Sequence, residues 1–251
     1  MKITILGCGT STGVPMLGCR CQVCSSEDPR DKRTRASIMV ENSGKYILVD
    51  TSTDLRKQAI REGIPHIDAV LFTHAHADHI HGIDDLRGFH FLHRRIMPSY
   101  GSPETMATIA VTFPYIFNEL KDAEYSPLLE PFRVTDRFDL FGCTVTPIPL
   151  LHGTMSATGY RFNDTAYLTD CSDIPEASMA QLAGLDTLII DALRYSPHPN
   201  HFNIEGALQV VTELRPQRTI LTHLTHEVPY RNGVNLPAGV EFAYDGMILE
   251  R

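Results

Sequence analysis

Two sheets facing each other, with helices covering their outer faces, are what this 251-residue sequence predicts: an α/β protein of the α+β type. Short apolar runs rich in β-branched residues dominate both halves of the chain, and helical patterns are interspersed among them. No repeat at 20 to 50 residues and no low-complexity segment breaks that alternation. With 43% hydrophobic and 21% charged residues the composition is that of an ordinary globular protein, and one domain over residues 1–251 is expected.

Ile3 to Leu6 read as the first strand. The loop that follows, Gly7-Cys8-Gly9-Thr10-Ser11-Thr12-Gly13, misses the G-x-G-x-x-G spacing and lacks a following Gly-Lys-Ser/Thr, so it is no nucleotide loop. Ser37–Val40 and Tyr46–Val49, separated by Glu41-Asn42-Ser43-Gly44-Lys45, form a predicted hairpin that Asp50 closes. A helix is expected over Thr53–Glu62, stopped by Gly63 and Pro65, and another from His79 to about Phe89. Between them Asp68-Ala69-Val70-Leu71-Phe72 reads as a buried strand.

Pro98 to Pro131 mix prolines with two weakly helical apolar stretches and suggest a helical excursion over the site. Strands resume at Phe138–Phe141, Thr144–Thr146, Gly159–Phe162 and Thr165–Leu168, the last two joined by an Asn163-Asp164 turn. Thr187–Ile190 and Thr219–Leu221 are short strands flanking a helix over Ile204–Leu214. Glu241 to Leu249 reads as a hairpin turning at Asp245-Gly246.

No stretch approaches the roughly 18 to 20 apolar residues that a membrane-spanning helix needs. The amino terminus reaches its glycines too soon for a signal peptide, so a soluble, cytoplasmic protein is expected. The net charge of -8 opposes diffuse attraction to nucleic acid and leaves local basic patches as the places where phosphate could bind.

The chemistry concentrates in Thr73-His74-Ala75-His76-Ala77-Asp78-His79, where three histidines and an aspartate offer two metal-binding faces directly after a strand. Loops at that position are where sites are built. His152, Asp170 and His223 each follow another short apolar run, which would gather them around one point. Imidazole and carboxylate suit zinc, manganese or iron, and two cations about 3.5 to 4 Å apart can clamp a shared oxygen.

The H-x-H-x-D-H run, an aspartate closing an earlier strand, and later single His, Asp and His residues resemble the metallo-β-lactamase superfamily. The resemblance covers essentially the whole chain. It implies a four-layer αββα sandwich with a two-metal site at the sheet edge. In that pattern His74, His76 and His152 hold one divalent metal, Asp78, His79 and His223 hold the other, and Asp170 bridges them. Asp50 matches the first motif and orients a ligand histidine from behind. Class B lactamases usually carry arginine or cysteine in place of His79 and use a later cysteine, and Cys171 is one residue out of place for that job, so antibiotic hydrolysis is disfavoured.

Three of the six cysteines crowd into residues 18–24, as Cys19-x-Cys21-x2-Cys24, too close for easy mutual disulfides and suited to one tetrahedral zinc. His226, three residues after His223, is expected to complete a Cys3His structural zinc site. That loop and the extra histidine resemble the phosphoribosyl cyclic phosphodiesterase branch of the superfamily, as does Pro199-Asn200-His201-Phe202-Asn203, where His201 matches a histidine implicated in catalysis.

The resemblance implies a phosphodiesterase of phosphonate metabolism that opens 5-phosphoribosyl 1,2-cyclic phosphate through a hydroxide activated by two metals. Manganese or zinc is expected in the active site, with iron as a third option. Asp78 and His201 are the implied catalytic residues, His201 supplying a proton to the leaving alkoxide. Arg87, in the turns after the motif, is the candidate contact for a further phosphate. The expected partners are a small phosphorylated substrate and a second copy in a homodimer, without membrane or nucleic acid. Two alternatives stand beside this reading: a ribonuclease Z-like endonuclease acting on precursor tRNA, and a catalytically silent metal-binding regulatory protein.

Overall fold

The computed structural model describes residues 1–117, 128–231 and 235–250. Its first sheet contains β1 (Lys2–Gly7), β2 (Ser37–Asn42), β3 (Lys45–Val49), β4 (Ala69–Leu71), β5 (Met97–Gly101), β6 (Leu129–Arg133) and β14 (Ile248–Glu250). Its second contains β7 (Phe138–Leu140), β8 (Cys143–His152), β9 (Met155–Phe162), β10 (Thr165–Leu168), β11 (Thr187–Asp191), β12 (Arg218–Thr222) and β13 (Val240–Phe242). The strand orders are β14-β1-β2-β3-β4-β5-β6 and β13-β12-β11-β10-β9-β8-β7 among the described residues.

Alternation along the strands makes each sheet apolar on both faces, which is why the molecule has layers. Ile3, Ile5, Ile38, Val40, Ile47, Val49 and Leu71 point inward from the first sheet and meet Val145, Tyr160, Phe162, Tyr167, Ile189 and Ile220 of the second. On the first sheet's outer face Leu48, Val70 and Phe72 pack with α1 (Leu55–Arg61), α3 (Leu86–His93) and α4 (Pro103–Thr112) through Leu55, Leu86 and Met106. On the second sheet's outer face Leu168, Ile190 and Leu221 pack with α6 (Ile204–Leu214) through Ile204, Ala207 and Val210. Burying each such side chain stabilises the fold by about 1.5–3 kcal/mol. The result is the αββα sandwich.

Strand direction decides where the site can lie. β3, β4 and β5 pair in parallel, and so do β10, β11 and β12, so within each sheet their carboxyl ends share one edge. β8 is antiparallel to β9 and β9 to β10, which returns the end of β8, His152, to that same edge.

Several elements differ from the expectation. The helix over Thr53–Glu62 starts two residues late, at Leu55, because Asp54 gives its carboxylate to the Arg35 backbone N–H (3.0 Å) and guanidinium (3.1 Å) instead of capping. The helix from His79 to Phe89 is broken into α2 (Ala77–Ile80), a 3-10 turn over Ile83–Asp85 and α3. Gly82 causes the break: its N–H donates to the Thr51 carbonyl at 2.9 Å, and a Cβ there would lie 1.9 Å from the Ser52 carbonyl oxygen.

The segment from Pro98 to Pro131 holds two strands, β5 and β6, and one helix, α4, which packs on the first sheet's outer face. Pro131 is tolerated because β6 is an edge strand; the end of the second apolar stretch lies outside the described residues. The carboxyl-terminal hairpin does not form. Asp245 is held by the Cys8 and Thr34 backbone N–H groups (3.1 and 2.9 Å) and by the Thr34 hydroxyl (2.6 Å), which draws the chain across to the other sheet. β13 therefore pairs in parallel with β12, while β14 runs antiparallel to β1. The hairpin of β2 and β3, the Asn163-Asp164 turn and helix α6 form where the sequence places them. Among the described residues no helix is long and apolar enough to cross a membrane.

Candidate metal centre

The motif loop leaves β4 and is pinned before any ligand is reached. The Asp50 carboxylate accepts from the Thr73 backbone N–H (2.8 Å) and hydroxyl (2.7 Å), and the Tyr160 hydroxyl donates to the Phe72 carbonyl at 2.7 Å. From there His74, His76, His152 and Asp170 bring one ligand atom each to within 4.8 Å of one another. Asp78, His79 and His223 form a second such group, and Asp170, His201 and His223 a third. Asp170 sits between the groups: Oδ1 lies 3.9 Å from His74 Nε2, 4.0 Å from His152 Nε2 and 3.4 Å from His223 Nε2, while Oδ2 lies 3.1 Å from His79 Nε2.

Hydrogen bonds on the far side set each ring. His79 Nδ1 donates to Asp50 Oδ2 at 2.7 Å and His152 Nδ1 to the Asn200 carbonyl at 2.7 Å. The Thr73 hydroxyl spends its single proton on Asp50, so His74 Nδ1, 3.0 Å from that oxygen, must be the donor. In all three rings Nε2 is left to face the centre. Nε2 of His74, His79 and His223 is buried with no hydrogen-bond partner among the described residues. Even the short His79 to Asp170 approach lacks hydrogen-bond geometry, as expected of two groups directed at a common point and not at each other. Buried orphan nitrogens are costly, and a divalent cation relieves that cost. The donor set therefore fits metal.

Charge supports the fit. Burial, and then the His79 charge, push His74 well below the ordinary histidine range, which leaves it the neutral ligand that coordination needs. Burial works to raise Asp170, but His223, His79 and His74 outweigh it and hold that carboxyl well down. Asp78 is likewise held down by His79 against burial. His79 itself goes up: burial opposes this, yet Asp170 and Asp50 prevail, so in the absence of a cation Nε2 of this ring holds a proton that coordination would displace.

Asp50, Asp170 and His223 all have left-handed backbones, with φ of 65°, 52° and 59°. Non-glycine residues pay about 1–3 kcal/mol for such conformations and accumulate them at functional sites. Here each one turns the chain sharply at a strand end, aiming its side chain along the sheet edge.

Asp191, which the sequence reading passed over, lies behind the centre. It is fully buried at the end of β11, and its Oδ2 accepts from His201 Nδ1 at 2.7 Å and from the Cys171 N–H at 2.9 Å, with Oδ1 3.9 Å from His223 Nδ1. Its signal was present, since Asp191 ends an apolar run just as Asp50 ends another. His201 stacks on His223 with ring centres 4.8 Å apart and meets His152 at 4.7 Å. Burial lowers its pKa, against the pull of Asp170 and Asp78. Arg87, on α3, donates from Nε to Asp84 at 3.1 Å and lays its guanidinium over Tyr115.

Cys19, Cys21, Cys24 and His226 form a separate group, again with ligand atoms all within 4.8 Å, and none of the cysteines is in a disulfide. His226 Nδ1 is 3.6 Å from Cys19 Sγ and 3.2 Å from Cys21 Sγ. Three thiolates and an imidazole suit one tetrahedral zinc. The Cys24 N–H and His226 hold the Cys21 thiol at about 6, while burial pushes Cys24 up to about 11.

The beta-lactamase superfamily domain model matches residues 45–224. The chain belongs to the metallo-β-lactamase superfamily. Within it the chain belongs to the PhnP family: the crystal structure of a new diphosphatase from that family is 44% identical, covers 99% of this chain and 97% of its own, and has a TM-score of 0.91. An octanoyltransferase of Porphyromonas gingivalis is 38% identical over 98% of this chain, which spans only 51% of that longer protein. Zinc-bound PqqB from Methylobacterium extorquens shares the superfamily fold over all of both chains, with a TM-score of 0.81 at 21% identity. The superfamily domain, the diphosphatase likeness and a donor set that fits divalent metal support a metal-dependent hydrolase.

Proposed function

We propose that the protein hydrolyses a small phosphodiester, with 5-phosphoribosyl 1,2-cyclic phosphate as the substrate. The observation that carries this reading is the gathering of six candidate metal-binding side chains around a seventh, Asp170, with one further imidazole, His201, beside them. His74, His76 and His152 would hold one cation, Asp78, His79 and His223 the other, and Asp170 both. When bound, two divalent cations, manganese or zinc, supply Lewis-acid activation of water and neutralise phosphoryl charge.

The chain's own residues handle orientation and protons. Asp50 and Thr73 keep Nδ1 protonated on His79 and His74, so both rings present Nε2. Asp191 holds the proton on His201 Nδ1 and stabilises the imidazolium, from which Nε2–H protonates the departing ribosyl oxygen. Burial lowers the His201 pKa, and the negative charge of Asp170 and Asp78 opposes that shift. Cys19, Cys21, Cys24 and His226 would bind a structural zinc that secures the loop after His223.

A second reading is hydrolysis of a diphosphate, favoured by the 44% identical diphosphatase. A kinetic panel on the manganese-loaded protein separates the two: 5-phosphoribosyl 1,2-cyclic phosphate, a 2',3'-cyclic nucleotide, a nucleoside diphosphate and precursor tRNA. The proposal expects the highest kcat/KM for the cyclic ribosyl phosphate. Preference for the diphosphate supports the second reading, cleavage of tRNA would replace both with an endonuclease, and no turnover with any divalent metal would leave a binding protein.

A further inference from the structure

A cavity of about 560 Å³ opens beside α1 with none of the candidate metal-binding side chains in its wall, which carries Lys32, Arg33, Arg35, Lys57 and Arg61. Only two acids, Asp54 and Asp245, share that wall. Both are already engaged from within. Asp54 takes the backbone N–H and guanidinium of Arg35, and Asp245 takes Cys8, Thr34 and Arg61.

The cations retain spare capacity. Lys57 and Arg61 stand one helical turn apart on the same face of α1, and Lys57 has no partner among the described residues. Lys32 Nζ makes one contact, 3.3 Å to the Cys24 carbonyl. Arg33 is 1% exposed and donates to the Thr225 and Val228 carbonyls, yet its Nε is buried with no hydrogen-bond partner. Arg33 pairs with Asp31, Arg35 with Asp54 and Arg61 with Glu62 and Asp245, so the unpaired charge of this concave surface is that of Lys32 and Lys57, which on a chain of net charge -8 focuses field on a small anion. Guanidinium forks and ammonium groups together match the oxygens of a phosphate.

We propose that this cavity is an anion-binding site for a phosphomonoester group, separate from the metal centre. The group is either the remote phosphate of the substrate or that of a second, unreacted molecule. The site is tied to the centre through backbone: Arg35 Nε donates to the Ser11 carbonyl, Thr10 N–H to that of Leu224 next to His223, and Arg33 to that of Thr225.

Inorganic phosphate titrated calorimetrically into the full-length protein tests the site. Binding to His76→Ala, whose metal centre is crippled, is expected to match the parent, while Lys32→Glu/Lys57→Glu weakens it by about tenfold or more. Both lysines are surface groups with at most one internal contact, so the double variant keeps the fold, which circular dichroism checks. Equal binding by parent and double variant, or loss of binding in His76→Ala alone, overturns the proposal. Kinetics then distinguish the sources. A rise in KM for a substrate bearing a second phosphate, with bis(p-nitrophenyl) phosphate unaffected, assigns the cavity to substrate; unchanged KM for both, with phosphate binding still weakened, assigns it to a separate ligand.

Discussion

Asp191 touches no ligand position directly facing Asp170, yet it stands behind two imidazoles, bonding His201 and lying 3.9 Å from His223. Groups that orient such rings typically cost about 10–100-fold in activity or metal affinity when lost. Asp191→Asn is expected to lower kcat by about that factor for a diester with an alkoxide leaving group, at unchanged thermal stability. The loss should be smaller with bis(p-nitrophenyl) phosphate, because p-nitrophenolate needs no proton to depart. Equal losses for both substrates would place Asp191 behind His223 as a metal-binding support instead of behind His201. The seven candidate ligands that the structure gathers were legible because each belongs to a motif or a fixed order, His74 through His79 and then His152, Asp170 and His223. Asp191 was not, since a lone carboxylate after Thr187–Ile190 reads equally as a strand end facing water.

At the level of elements, close backbone approaches decided what the periodic patterns could not. The helical pattern running on past His79 gave no sign that Gly82 lies against the Thr51–Ser52 backbone. Gly82→Ala should cost about 1–3 kcal/mol, the range for overpacking, read as a lowered urea midpoint; an unchanged midpoint would mean that the two segments can separate freely. Asp245-Gly246 looked like a hairpin turn because the partners of Asp245, Cys8 and Thr34, lie more than 200 residues earlier in the chain. By contrast the cysteine loop was readable from spacing alone. With metal removed, Cys21, its thiol pulled to about 6, should alkylate faster at pH 7 than Cys24, held at about 11, as peptide mass spectrometry would record. Comparable rates would deny Cys21 its thiolate character.

For the molecule as a whole, Asp68 illustrates how stability depends on pH. Burial works against its ionised form, but the Tyr46 N–H (3.0 Å) and Lys45 (2.9 Å) outweigh that and lower its pKa. A carboxyl depressed on folding stabilises above its unfolded value of about 3.9, and the contribution is lost as pH falls through the folded value. Asp68→Asn should therefore be less stable than the parent at pH 7, with the gap closing at an acid pH beneath the folded value. Urea unfolding at both pH values measures it, and a gap that persists in acid would mean that Asp68 acts through packing and not charge. The layered architecture was visible in the alternating runs, because inward and outward faces of both sheets had to be apolar.

The pairing of β14 with β1 has a further consequence. Lys2 lies opposite Glu250 and Ile3 opposite Leu249, so the edge of β1 stays uncovered until a strand more than 200 residues further along the sequence has been made. Contacts this distant along a chain slow folding. Until β14 is made, β1 therefore presents an open ladder of N–H and C=O groups, and a nascent chain stalled between β1 and residue 248 is prone to join its neighbours edge to edge.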